Sequence, residues 1–181
     1  RFRKELIQKL LEDSEVVIST PFVGHEEDLQ ELGAHCIETE VDRRSVNPVT
    51  DLRLLRTYKK ILKREKPDLV ITYSIKPNIY AGYLCGKMKI PFWANVQGLG
   101  TAFQKPVLSG IVTQMYRIAF QKVEKVFFEN QENAAEFRKR KILKEEQKVI
   151  LNGAGINLEE YRYCLYPDND KIHFLYLGRI M

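Results

Sequence analysis

Cysteine is scarce in this sequence of 181 residues: Cys36, Cys85 and Cys164 stand far apart, with no C-x-x-C pair and no histidine at ligand spacing. Neither a disulfide framework nor a structural zinc site is built from such a set, and a reducing, cytoplasmic setting is the expectation. Histidine is equally sparse, and His25, His35 and His173 read as isolated surface or core residues, so no metal is expected. No apolar run approaches the roughly 20 residues that a bilayer span needs, and no charged start, apolar centre and small-residue cleavage site mark a signal peptide. Glycine patterning falls short of a dinucleotide fingerprint: Gly98-Leu99-Gly100 meets Phe103, and Gly153-Ala154-Gly155 meets Leu158, where a third glycine belongs. A Walker lysine motif, internal repeats and low-complexity tracts are absent too.

What is present suits an ordinary α/β domain. With 44% hydrophobic and 29% charged residues the chain buries a core of one domain with some surplus. Apolar and β-branched runs predict strands over 16–20, 34–38, 68–73, 92–96, 126–129, 149–151 and 173–177. Helical periodicity alternates with them, over 2–11, 52–64, 78–88, 108–123 and 132–140. Such alternation implies parallel crossovers and a doubly wound sheet. The first helix carries an apolar stripe, Leu6, Ile7, Leu10 and Leu11, yet no strand precedes it; a strand of about five to six residues with a glycine-rich turn is expected ahead of it. At the other end, a hydrophobic strand closing on Gly178-Arg179 is how a second α/β domain opens. The expected division is therefore 1–165 for one domain lacking its first strand, and 166–181 for a linker and the first strand of another, with the turn-rich 161–171 as the only candidate linker.

The formal charge of +5 is uneven. Between Asp51 and Lys66 seven basic residues face two acids, and Arg53, Arg56, Lys60 and Lys63 recur along one helix face; a second cluster runs from Arg138 to Lys141. Anionic lipid, phosphate or nucleic acid suits such a face. A solvated helix surface is the commoner use of a charge run.

Ligands of open α/β sheets sit beyond the carboxyl ends of the strands. Five consecutive ends here carry glycine or polar residues: Ser74-Ile75-Lys76-Pro77-Asn78, Gln97-Gly98-Leu99-Gly100-Thr101, Glu129-Asn130-Gln131, Asn152-Gly153-Ala154-Gly155 and Gly178-Arg179. Pro77 suits a first helical turn, leaving amide groups and the Lys76 ammonium to face an anion. Gly98 and Gly100 allow close backbone approach or positive φ. Structural turns explain any one glycine pair as well, but five such ends in register outline a cleft lined by amides, a lysine and an arginine.

Four strings in order, 71–80 (ITYSIKPNIY), 94–103 (ANVQGLGTAF), 126–130 (VFFEN) and 153–158 (GAGINL), resemble the N-terminal half of bacterial family 4 glycosyltransferases, closest to the branch that builds capsular polysaccharide, lipopolysaccharide or polyprenyl-linked oligosaccharides. The resemblance spans nearly the whole chain and is specific for the family, not for the sugar. It implies a GT-B enzyme of two Rossmann-like domains. The N-terminal one binds chiefly the acceptor, a polyprenyl-diphosphate-linked glycan, and the C-terminal one binds the nucleotide-sugar donor, such as a UDP-sugar. By that resemblance Gly178 and Arg179 approach the donor diphosphate; of the strand-end residues, Lys76, Asn78, Gln97, Gly98 and Thr101 are expected to line the acceptor side, and Asn130, Gly153 and Gly155 the cleft. The family's paired glutamates belong to the second domain, so catalytic residues are expected mainly outside this chain, and this part alone is expected to be inactive. No cofactor or metal is implied, since GT-B members generally neutralise the leaving diphosphate with Arg, Lys and helix N-termini.

The segment 106–123 is apolar over more than a normal stripe; it suits either a helix dipping toward anionic lipid at the inner face of the plasma membrane or a helix buried beside the sheet. A GT-B sugar-nucleotide 2-epimerase shares the architecture and stands as the alternative. A nucleic-acid-binding module is the remaining one, disfavoured because no nucleic-acid motif or aromatic platform interleaves the basic residues.

Overall fold

The structure, a computed structural model, describes residues 3–24, 26–42, 47–153, 155–165, 171–172 and 174–177. Helix α1 (Lys4–Leu11) leads to strand β1 (Val17–Thr20), a short helix α2 (Glu26–Glu31) and β2 (His35–Glu38). There follow α3 (Pro48–Glu65), β3 (Val70–Tyr73), α4 (Ile75–Met88), β4 (Phe92–Val96), α5 (Pro106–Ala119), β5 (Lys125–Phe128), α6 (Gln131–Lys139) and β6 (Lys148–Ile150). Every strand pair is parallel, β1 beside β2 and β3-β4-β5-β6 in sequence order, as the alternating pattern requires. Among the described residues the two sheets share no ladder, so β1 and β3 each keep one edge without a strand partner.

Local chemistry sets the helix ends. Helix α3 starts earlier than its apolar periodicity because the Asn47 side chain accepts the Val49 amide at 2.9 Å and Pro48 occupies a position whose N–H would be orphaned anyway. It stops where Lys66 turns left-handed at φ 47°. Leu54, Tyr58 and Leu62, four residues apart, face the core. Arg53, Arg56, Lys60 and Lys63 consequently face solvent. Helix α2 has no apolar periodicity to announce it, only acids in its first turn that suit the helix dipole. The helix expected over 108–123 tightens after Ala119 into a 3-10 turn, Phe120–Lys122.

One expected element does not form: residues 174–177 are not a strand, and Phe174 is 96% exposed. A strand is defined by its ladder, and no neighbour offers one there among the described residues. His173 and the remainder of 166–170 and 178–181 lie outside the described residues.

The core sits between β3-β4-β5 and helices α3, α4, α5 and α6. Tyr116, Phe120, Phe128 and Phe137 are buried and edge-packed, with ring centroids 5.1 Å apart for Tyr116–Phe120 and 5.3 Å for Phe128–Phe137. Gly82 lets α4 settle on β4: a Cβ there would stand 2.7 Å from Cε1 of Phe92. Arg140, from the second basic cluster, turns inward instead of facing solvent. Its guanidinium pairs with Glu136 at 2.6 Å, donates to Ser109 and Thr113 of α5, and lies over the Phe103 ring.

Candidate functional site

The strand registers bring the carboxyl ends together. Tyr73 pairs with Asn95, Val96 with Phe128, and Phe128 with Ile150, so the segments after β3, β4, β5 and β6 emerge along one rim of the sheet. Two cavities open there. The first, about 320 Å³, is lined by Ser74, Ile75 and Asn78 of the β3–α4 corner, Gln97, Gly98 and Gly100 after β4, and Tyr116 of α5. The second, about 330 Å³, lies on the far side of the same α4 turn, between Lys76, Asp51, Arg53 and Thr57 and the segment after β2 that carries Thr39 and Glu40. Volumes of this size fall at the lower end of the range that small-molecule sites occupy, about 300–1,000 Å³.

Asn78 is the hub of the first cavity, and its amide is spent inside the protein. It is 1% exposed; Thr72 donates to its Oδ1 at 2.6 Å, and its Nδ2 donates to the Asn95 carbonyl at 3.0 Å. The Asn95 side chain returns a bond to the Thr72 carbonyl at 3.3 Å, so β3, β4 and α4 are laced together below the cleft. Burial pushes the Tyr116 phenol well above its ordinary range, against a smaller lowering by a hydrogen bond from Asn78. Asn78 thus forms cleft wall and positions it.

Lys76 does not present a free ammonium. It pairs with Asp51 of α3 at 2.6 Å, the two side chains being 14% and 17% exposed. The anion expected at this helix start is supplied by the protein itself. Burial raises the Tyr80 phenol above its ordinary range, and its hydrogen bond and proximity to Asp51 raise it further. Two of the three lysine donors remain for a ligand at the cavity rim.

The other expected site residues fall as follows. Gln97 is exposed and donates to Glu129 at 3.4 Å, bridging two strand ends. Gly98 is exposed, with open space where a Cβ would go. Gly100 takes φ 67° and ψ 175°, a region nearly reserved for glycine. Thr101 opens a 3-10 turn, Thr101–Gln104; its side chain lies outside what is described. Asn130 caps α6, its Oδ1 accepting the Asn133 amide at 2.9 Å. Gly153 and Gly155 both have positive φ, 98° and 76°, at the end of β6. Gly178 and Arg179 lie outside the described residues. Sequence reasoning passed over Asp51, Tyr80 and Tyr116, which meet the cleft through tertiary contacts that no local signal carries.

Among the described residues no three His, Cys, Asp or Glu side chains gather as a metal site. No described helix is long and apolar enough to cross a membrane. Helix α5 divides its apolar residues: Val112, Tyr116 and Ala119 are buried, whereas Val107, Ile111 and Ile118 are 80%, 55% and 46% exposed. Both α5 and the basic helix α3 pack on α4.

Comparison with known proteins agrees with this architecture. An N,N'-diacetylbacillosaminyl-diphospho-undecaprenol alpha-1,3-N-acetylgalactosaminyltransferase of Campylobacter jejuni is 29% identical over 178 residues, covering 94% of this chain and 46% of that protein. The crystal structure of a glycosyltransferase from Rickettsia africae superposes with a TM-score of 0.64 at 19% identity, covering 90% of this chain and 41% of the other. That likeness places the chain in the Rossmann-like α/β fold of such enzymes. The chain thus spans less than half the length of each of these two proteins. The sequence profile of the glycosyl transferase 4-like family matches residues 2–130, most of the chain, and the chain belongs to that family.

Proposed function

We propose that this chain is the acceptor-side part of a glycosyltransferase that moves a sugar from a nucleotide-sugar donor to a polyprenyl-diphosphate-linked glycan. The observation that carries this reading is the likeness, along nearly the whole chain, to a transferase named for its diphospho-undecaprenol acceptor. Cavities at the strand ends of a family member, with polar side chains and backbone among their lining, support it. The acceptor would lie along the rim between the two cavities, where Lys76, Gln97, Gly98 and Thr101 offer donors and open backbone. Asn78 holds the floor beneath it, and Asn130, Gly153 and Gly155 shape the continuing rim.

Transfer requires the leaving nucleoside diphosphate to be neutralised while the sugar gains oxocarbenium character. Arg179, beside Gly178, is proposed for part of that charge, without a metal. The remainder of the donor site is proposed to lie in a second domain, to which 166–181 would lead as a linker. A polyprenyl acceptor lives in a membrane, and the exposed Val107, Ile111 and Ile118 give α5 an apolar face to rest on lipid. A peripheral position at the cytoplasmic face of the membrane follows.

The test is a double alanine substitution, K76A/Q97A, in the complete polypeptide. Acceptor KM rises at least tenfold on this account, whereas unchanged acceptor affinity and rate would remove these residues from the cleft. Conversion of donor to another free nucleotide sugar without acceptor would favour the epimerase.

A further inference from the structure

The corner between β3 and α4 is made by one residue. Tyr73 ends the strand and Ile75 begins the helix, so Ser74 alone turns the chain, with φ 76° and ψ 163°. That region is essentially confined to glycine, because any Cβ crowds the backbone. Gly100, which faces the same cavity, takes nearly the same angles, φ 67° and ψ 175°, with the residue type they call for. An ideal Cβ at Gly100 would stand 3.0 Å from Cδ1 of Ile75, so the two corners interlock across the cavity. The chain therefore uses a strain-free residue on one side and a strained serine on the other.

Strain of this kind persists only where the surroundings over-determine it. The restraint is visible two residues on, at the second cavity beside the same α4 turn. Asp51 reaches across from α3 and holds Lys76 at 2.6 Å, and the Tyr80 phenol, one helical turn further along α4, lies near enough to the same carboxylate to be pushed up by it as well as by burial. Two α4 side chains separated by four residues converge on one carboxylate, so the first turn of the helix can neither unwind nor roll without breaking a largely buried pair. Asn78 anchors the same turn from below. In α/β-hydrolases a strained strand-to-helix corner likewise exposes a serine hydroxyl at the strand ends.

We propose that Asp51 is a positioning residue for the acceptor cleft: through Lys76 and Tyr80 it fixes the first turn of α4 and so holds Ser74, against its backbone preference, at the cavity wall as a contact for an acceptor hydroxyl or phosphate oxygen. This rests on the acceptor-cleft reading above and assigns specificity within it. The hydroxyl that glycine would lack is what this strained corner presents to the cavity.

Four forms of the complete polypeptide decide the matter: unaltered, D51N, S74G and D51N/S74G. S74G relieves the corner and raises Tm by about 2–4 °C, while acceptor KM rises about tenfold, the loss of one hydrogen bond, with kcat and donor KM little changed. D51N raises acceptor KM by a similar factor, and the double variant is no worse than either single one, because both act on one contact. In the D51N background S74G gains less than half its stabilisation, since the corner is already free to relax. Acceptor KM within twofold of the unaltered value in either single variant would overturn the proposal, as would equal stabilisation by S74G in both backgrounds. Absence of transfer by the unaltered polypeptide would strike at the functional reading instead, and the Tm cycle would still decide whether Asp51 holds Ser74.

Discussion

Replacing Asn78 by alanine separates the cleft's scaffold from its surface. The side chain is 1% exposed and bonds to Thr72 at 2.6 Å, to the Asn95 carbonyl at 3.0 Å and to the buried Tyr116 hydroxyl. N78A leaves two buried hydroxyls and one carbonyl short of a partner. An unsatisfied buried group costs about 1–3 kcal/mol. The neighbouring cavity admits some water, so the total should sit near the low end, at about 3–5 kcal/mol. Against a total stability of about 5–15 kcal/mol that is a large share, and at this chain length it lowers Tm by about 6–20 °C. Urea unfolding followed by circular dichroism, with the m-value unchanged, is the assay. T72V orphans only the Asn78 oxygen and should cost about 1–2 kcal/mol, with the double variant less than additive by at least about 0.5 kcal/mol. A cost for N78A below about 1 kcal/mol would refute the view that this asparagine laces β3, β4 and α4 together.

G82A forces a methyl group to within 2.7 Å of Phe92, which is itself buried against Phe120, and should destabilise by about 1–2 kcal/mol after the helix-propensity gain of alanine; stability at or above the parent's would show that α4 has room to move. Tyr58, 7% exposed, has its phenol pushed up by burial to about 12 from an ordinary value of 10.0. The folded state therefore holds that proton more tightly, so the contribution is fully present below pH 10 and is lost as pH rises toward about 12. The loss is about 2–3 kcal/mol, absent in Y58F, and an identical alkaline unfolding curve for Y58F would contradict it. I111E on the exposed face of α5 should abolish flotation with anionic liposomes at low salt, and failure of the parent protein to float would remove the lipid contact.

The core strands were legible because β-branched and aromatic runs announce a buried parallel sheet, and 92–96 matches β4 to the residue. Helix starts were less so: α3 and α4 begin three or four residues before their apolar stripes, since capping by Asn47 and the single-residue corner at Ser74 act on backbone geometry. The run 173–177 has the composition of a strand, but only a neighbour's hydrogen bonds make one, and composition says nothing of a neighbour. In the site, glycine at 100 was readable as positive φ, and the rim of strand ends followed from fold class alone. The pairing of Lys76 with Asp51, 25 residues earlier, was not, nor was the inward turn of Arg140. Long-range charge pairing leaves no periodic trace. The same limit hid Tyr116, whose place on the cleft wall looks in sequence like one more apolar position of α5.

The central claim is sugar transfer to a lipid-linked acceptor at this cleft. The most direct test incubates the complete polypeptide with a panel of radiolabelled nucleotide sugars and membranes containing polyprenyl-diphosphate-linked glycans, followed by extraction of the lipid fraction. One labelled sugar passing into that fraction is the predicted result. Turnover of the donor with no label in lipid, or no turnover with any donor, would contradict it.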